Sequence, residues 1–206
     1  MTSDPDPTPR RPDLILLDVM STLVYDPFRV EMPAFLGLSF EELLEQKHPH
    51  AWAEFETGAI DEEAFYLKFF RDGRALDGPG LKVAMAECYD WLPGMQQLLT
   101  RLTESGIPMH VLSNYPLWYE EVERATGLSR WVPWTFVSCH TGRRKPAPEA
   151  FLEPARQLAV RPEACLLIDD SPENVAAAQA LGMDAISFKH AGTLTRDLVA
   201  RGLLGE

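Results

Sequence analysis

The chain has 206 residues, 46% hydrophobic and 24% charged, which is ordinary for a globular protein and enough to bury one sizeable core. Its net charge of -12 works against nucleic-acid partners, whose phosphates need a basic face, so a site for anions would need local cations. No apolar run reaches the ~18 residues of a membrane span, and Cys88, Cys139 and Cys165 form no zinc pattern and read as small core residues in a reducing, cytoplasmic setting.

Residues 1–12, rich in proline and charge and without an apolar h-region, read as a disordered leader rather than a signal peptide. LILLD (14–18) is the first predicted strand. Residues 26–92 carry helical stretches, notably FEELLEQKHPHAWAEFE and DEEAFYLKFFRDG, and no convincing strand. Their aromatics, Trp52, Phe55, Phe65, Phe69 and Phe70, are expected to pack rather than to form a binding stripe. DGPG (77–80) reads as a loop, and WLPG (91–94) as the return to the main domain.

Four more strands are predicted at 107–113, 134–139, 164–169 and 184–188, alternating with helical GMQQLLTRLTESG, YPLWYEEVERATG, APEAFLEPARQLA and SPENVAAAQALG. The last of these has Ser171 to cap it, Pro172 in its first turn and Gly182 to close it. Pro154 is expected to kink or shorten its helix. Strands alternating with helices imply an α/β fold: a doubly wound parallel sheet from 13–25 and 93–206, with 26–92 as an all-helical cap.

In open parallel sheets ligands bind at the carboxyl ends of the strands. LILL ends on Asp18, MHVL on Ser113-Asn114 and CLLI on Asp169-Asp170, and the strand at 134–139 is soon followed by Lys145. Singly, these have structural explanations as helix caps, acidic first turns or surface charge. Together they place three carboxylates, a hydroxyl and a cation at one end of one sheet. The carboxylates repel, and an oxygen-only set favours a magnesium ion.

The assembly resembles the haloacid dehalogenase-like hydrolases. DVMSTLV is similar to their first motif, DxDGT[LV]; VLSN to the second; KP with the PxxF ending at Phe151 to the third; and LLIDDSPENVAAAQALG to the fourth. FETGAIDEEAF (55–65) resembles a recurrent cap segment, and WLPGMQQLL the re-entry after a cap. The resemblance implies a Rossmann-like core with a helical cap. It implies Asp18 as nucleophile, Ser113 and Lys145 contacting the transferred phosphoryl group, and Asp18, the main chain of Met20, Asp169 and Asp170 as ligands of Mg2+. Thr22 and Asn114 are the expected substrate-binding residues, Thr22 also bracing the loop, and Asn174 matches a position that supports the metal site. His110 is expected to be a core histidine.

Two positions depart from the family. Ser21 stands where glycine is usual, at some backbone strain. Met20 stands where phosphatases carry the aspartate that protonates the leaving group, and a thioether cannot do so. The resulting expectation is a magnesium-dependent phosphatase acting on a small phosphorylated molecule, weak or drawing its proton from elsewhere, with His48, His50 and Glu54 as cap candidates. The alternatives are a non-catalytic or regulatory protein on the same fold, and a haloacid dehalogenase-type hydrolase, whose halide leaves unprotonated.

Overall fold

β1 (Leu14–Leu17) is buried along its whole length, as an unbroken apolar run flanked on both faces requires. The computed structural model describes residues 11–205, so the first ten residues of the predicted leader lie outside it. β1 sits at the centre of a five-stranded parallel sheet with β2 (Met109–Ser113), β3 (Phe136–Val137), β4 (Cys165–Asp169) and β5 (Asp184–Ser187), in the order β3-β2-β1-β4-β5. From β1 the chain builds outward through β2 and β3, then crosses to β4 and β5 on the other side. The switch point therefore lies at β1, where such folds open a crevice.

Alternate residues of the strands point to opposite faces. Ile15 and Leu17 join Val111, Leu166, Ile168 and Ile186 in one core cluster, while Leu14 and Leu16 join Leu112, Leu167 and Ala185 in a second. Five helices make up the segment inserted after β1: α1 (Glu31–Leu36), α2 (Phe40–Gln46), α3 (Ala51–Glu56), α4 (Glu62–Lys68) and α5 (Gly78–Ala86). α6 (Met95–Thr103) precedes β2, α7 (Tyr119–Thr126) follows it, and α8 (Ser138–Thr141) follows β3. α9 (Pro148–Gln157) leads to β4, α10 (Pro172–Ala180) to β5, and α11 (Ala191–Ala200) comes last. α6 and α11 cover the first face, and α9 and α10 the second. No helix among the described residues is long and apolar enough to cross a membrane.

Several local expectations change. β3 is only two residues long, because it is an edge strand that pairs with β2 at Leu112 and Ser113 before the chain turns into α8. DGPG is a helix start rather than a loop: the Asp77 side chain accepts from the Gly80 N–H, and Pro79 occupies the first turn, where its missing donor costs nothing. FEELLEQKHPHAWAEFE splits into α2 and α3 around Pro49, which disfavours helical backbone before it. α9 runs on through the buried Pro154 to Gln157, at the loss of one helical hydrogen bond. His110 is only half-buried and pairs with the Thr135 hydroxyl at 2.7 Å, so it is not a core residue. α10 is capped as expected, with Ser171 accepting from the Asn174 N–H and Gly182 at φ +88°.

The segment carrying α1–α5 leaves and rejoins the sheet side by side. The Tyr25 N–H donates to the Asp90 carbonyl and the Leu92 N–H to the Leu23 carbonyl, both at 2.9 Å. Inside it, Phe55 and Phe65 stack at 4.5 Å, and Trp118, just before α7, meets both rings edge-on at 5.5 and 5.9 Å. Such aromatic pairs add roughly 0.5–1.5 kcal/mol each beyond area burial. The Ser138 hydroxyl donates to the Glu56 carbonyl, and the next turn presses on Gly58, whose φ is +68°. A Cβ at Gly58 would stand 2.6 Å from the Cys139 carbonyl oxygen. Gly58→Ala is therefore expected to cost roughly 2 kcal/mol or more from left-handed strain and backbone collision, read as a lower denaturant midpoint at unchanged slope.

Candidate active site

The loop after β1 is wound tightly enough to fix Asp18. The N–H groups of Thr22, Leu23 and Val24 all point at the Val19 carbonyl, and the Ser21 N–H returns to the Val24 carbonyl at 2.8 Å. This winding puts Ser21 at φ +60°, the left-handed conformation in which glycine is the unstrained residue. The wound loop turns Thr22 inward, fully buried, so that its hydroxyl donates to Asp18 Oδ2 at 2.9 Å. Thr22 is thus a brace for the carboxylate and has no surface to offer a substrate.

β4 lies directly beside β1, with Leu17 opposite Ile168, so Asp169 comes out next to Asp18. The Lys145 ammonium is buried between the two carboxylates, at 2.7 Å from Asp18 Oδ1 and 2.6 Å from Asp169 Oδ2. Asp169 is itself fully enclosed, accepting also from the Ser171 N–H at 2.9 Å and from Asn174 Nδ2 at 3.0 Å. Asn114, one residue past β2, exchanges two hydrogen bonds of 2.8 Å with the main chain of Lys145. Both ends of its amide are thereby engaged, which makes it a positioning residue for Lys145 even though its side chain also lines the adjoining cavity. Ser113 at the end of β2 is 2% exposed, and its Oγ has no hydrogen-bond partner among the described residues. A buried hydroxyl left unpaired in this way costs stability and is fitted to a ligand oxygen.

Carboxylate oxygens of Asp18, Asp169 and Asp170 lie within 4.8 Å of one another. One ammonium cannot balance three carboxylates, and the titration behaviour follows. Burial raises the Asp18 carboxyl to about 7, with Asp169 and Asp170 pushing the same way against Lys145. Burial, then Asp169, raises Asp170. Burial alone would lower the Lys145 ammonium, but Asp18 and Asp169 outweigh it and its pKa is raised. A hard divalent cation would remove the excess negative charge, and an all-oxygen donor set of this kind suits one. The Met20 carbonyl, which accepts no hydrogen bond among the described residues, adds a further oxygen on the same loop.

Beside this cluster opens a cavity of about 240 Å³, lined by Met20, Asp26, Phe28, Trp52, Glu56, Asn114 and Tyr115. Phe55, Phe65, Phe69 and Phe70 are core residues, and Trp52 is partly buried, packs against the same cluster and also lines this cavity. His48, His50 and Glu54 do not line it. The two histidine rings meet each other edge-on at 5.9 Å, and Glu54 is held by Lys68. Asp26 and Glu56 were not distinguished by sequence reasoning. Glu56 belongs to FETGAIDEEAF, but nothing in that segment's pattern marks which acid turns inward.

Residues 12–182 match the haloacid dehalogenase-like hydrolase family. The chain is 45% identical over 194 residues to flavin mononucleotide hydrolase 1 of Arabidopsis thaliana, a chloroplastic protein by name, covering 94% of this chain and 79% of that one. Hexitol phosphatase A of Escherichia coli is 33% identical over 101 residues, 47% of this chain and 44% of its own. Among solved structures, a family enzyme of Bacteroides thetaiotaomicron in complex with magnesium and inorganic phosphate superposes with a TM-score of 0.70. That alignment covers 86% of this chain and 94% of the other at 21% identity, and so speaks to the fold alone. The non-catalytic alternative gives way to these findings: the chain belongs to the haloacid dehalogenase-like hydrolases and is an enzyme of their phosphatase type.

Proposed function

We propose that this protein is a magnesium-dependent phosphatase that hydrolyses flavin mononucleotide, or a small phosphomonoester with a similarly flat aromatic body, through an aspartyl-phosphate on Asp18. The observation that carries the reading is the Asp18 carboxylate, held by Thr22 and Lys145 at a central strand end beside the unpartnered Ser113 hydroxyl. The substrate is supported by the named relative, aligned over most of both chains, and by the Phe28, Trp52 and Tyr115 walls of the adjoining cavity. Aromatic rings there favour a planar heterocycle over a sugar.

In this reading an Asp18 oxygen forms a bond to phosphorus as the ester oxygen departs, and water then cleaves the acyl-phosphate, splitting one hard displacement into two. The Ser113 hydroxyl donates to a phosphoryl oxygen, and the Lys145 ammonium balances the charge that develops there. Asn114 keeps that ammonium in place by tying down its main chain. Magnesium, held by Asp18, Asp169, Asp170 and the Met20 carbonyl, would supply the positive charge that lets an anionic nucleophile approach an anionic phosphate. Carbon–halogen hydrolysis has no comparable use for the cluster around Asp170. Three free cysteines support a reducing compartment, and the chloroplastic relative makes a plastid as compatible as the cytoplasm.

Asp18→Asn is expected to reduce phosphate release from flavin mononucleotide to background while the protein stays folded. Treatment with a chelator should abolish turnover, added magnesium should restore it, and magnesium should raise the melting temperature of wild type more than that of Asp170→Asn. Asn114→Ala leaves the Lys145 main chain unpaired, so a loss of about 1–3 kcal/mol is expected in denaturant unfolding. The displaced ammonium should also lower kcat by about 10-fold or more without a matching rise in KM.

A further inference from the structure

The leaving oxygen of an alkyl phosphate needs a proton, and Met20 cannot give one. Two carboxyl groups share the cavity with the Met20 side chain. Glu56 is engaged on both oxygens: Oε1 accepts from the Trp52 indole N–H, and Oε2 lies 3.1 Å from Arg144 Nε and 3.0 Å from its terminal nitrogen. With its guanidinium partner it joins the cap to the turn that carries Lys145, so it is committed to a structural ion pair. Asp26 differs. Its Oδ1 accepts from the Phe28 N–H at 3.0 Å, and its Oδ2 has no partner among the described residues. The strand that leads to it is fixed to the nucleophile loop, since Val24 bridges to Met20 and the Tyr25 N–H is bonded to Asp90. Asp26 is thus an anchored carboxyl with one oxygen unpartnered among the described residues, lining the same cavity as the methionine.

Resting on the phosphatase reading above, we propose that Asp26 is the catalytic acid and base of this enzyme, in place of the residue that Met20 has displaced. As the Asp18 oxygen bonds to phosphorus, the P–O ester bond breaks, and its electron pair stays on the leaving oxygen, which takes the Asp26 proton to become the alcohol. Water then bonds to phosphorus, its proton passes to the Asp26 carboxylate, and the Asp18–phosphorus bond breaks with its electrons returning to the Asp18 carboxylate. Phosphate leaves, and Asp26 is protonated again for the next cycle. Burial raises the Asp26 carboxyl from its ordinary value, with the Phe28 N–H opposing the shift and the Asp170 charge adding to it, which is the direction an acid catalyst needs.

Asp26→Asn keeps Oδ1 for the Phe28 N–H and removes only the exchangeable proton. With flavin mononucleotide, whose leaving group is an alkoxide, the variant is expected to lose about 10²–10⁴-fold in kcat. With p-nitrophenyl phosphate, whose leaving group departs unprotonated, it should release a burst of one p-nitrophenolate per chain. Slow turnover should follow, with phosphorylated protein visible by intact mass. Adding a carboxylate at position 20 in the same chain, as M20D/D26N, should return flavin mononucleotide turnover by about 10-fold or more over D26N. The assignment is overturned if D26N stays within about threefold of wild type on flavin mononucleotide. It is equally overturned if D26N slows both substrates alike with no burst and M20D brings no recovery. Failure of the underlying reading looks different: wild type inert on both substrates, or Asp18→Asn as active as wild type, would remove the phosphatase itself and this role with it.

Discussion

The fully buried Lys145 ammonium, held between Asp18 and Asp169, is the constraint on which the rest of the site depends. A buried charge is tolerated only when paired and hydrogen-bonded, and removing one partner from such a group costs about 3–5 kcal/mol. Each neighbouring element can be understood as meeting that condition. β1 and β4 run side by side in register, which brings the two carboxylates level. Asn114, past the end of β2, ties down the lysine's main chain, and Asn174 and the Ser171 N–H fill the remaining acceptor positions of Asp169. Three strand ends, the turn that carries Lys145 and the start of α10 are therefore locked to one another through a single cation.

That arrangement leaves a deliberate imbalance. Lys145 balances only part of the charge of Asp18, Asp169 and Asp170, and both Asp18 and Asp170 hold their protons more tightly than ordinary carboxyl groups. The excess negative charge is the physical reason a divalent cation fits here, and that cation would locally offset the repulsion that a net charge of -12 imposes on an anionic substrate. The unpaired Ser113 hydroxyl is the complementary feature on the other side of Asp18. One part of the site lacks positive charge and the other lacks an acceptor, and a phosphate with its metal would supply both.

The helices inserted after β1 shape the other half of the crevice. Their exit and return strands are hydrogen-bonded together, their aromatic core is continuous with Trp118 of the main domain, and Glu56 reaches Arg144 beside Lys145. These contacts fix the cavity walls relative to the charged cluster. Gly58 has its place in this for a local reason, since only a residue without Cβ allows the α3–α4 turn to press on the Cys139 carbonyl.

The sequence by itself determined the strand order of chemistry: apolar runs ending on Asp18, Ser113 and Asp169, a lysine after the third strand, and a helix start marked by Ser171 and Pro172. Those features are local, because burial, capping and turn chemistry are written in neighbouring residues. Ser21 was legible in the same way, since a tight turn at a glycine position forces φ positive whatever residue is there. Where local rules competed, the pattern was ambiguous: DGPG satisfied both a loop and a helix cap. Only the tertiary structure decided which acids share a cavity with Met20. His48, His50 and Glu54 sit as close in sequence to the aromatic cap residues as Glu56 does, yet they do not line the cavity. Asp26 gained its environment from Trp52, Glu56 and Tyr115, residues distant in the chain. The direction a side chain takes depends on how helices pack over the sheet, and that is a long-range property no local pattern encodes.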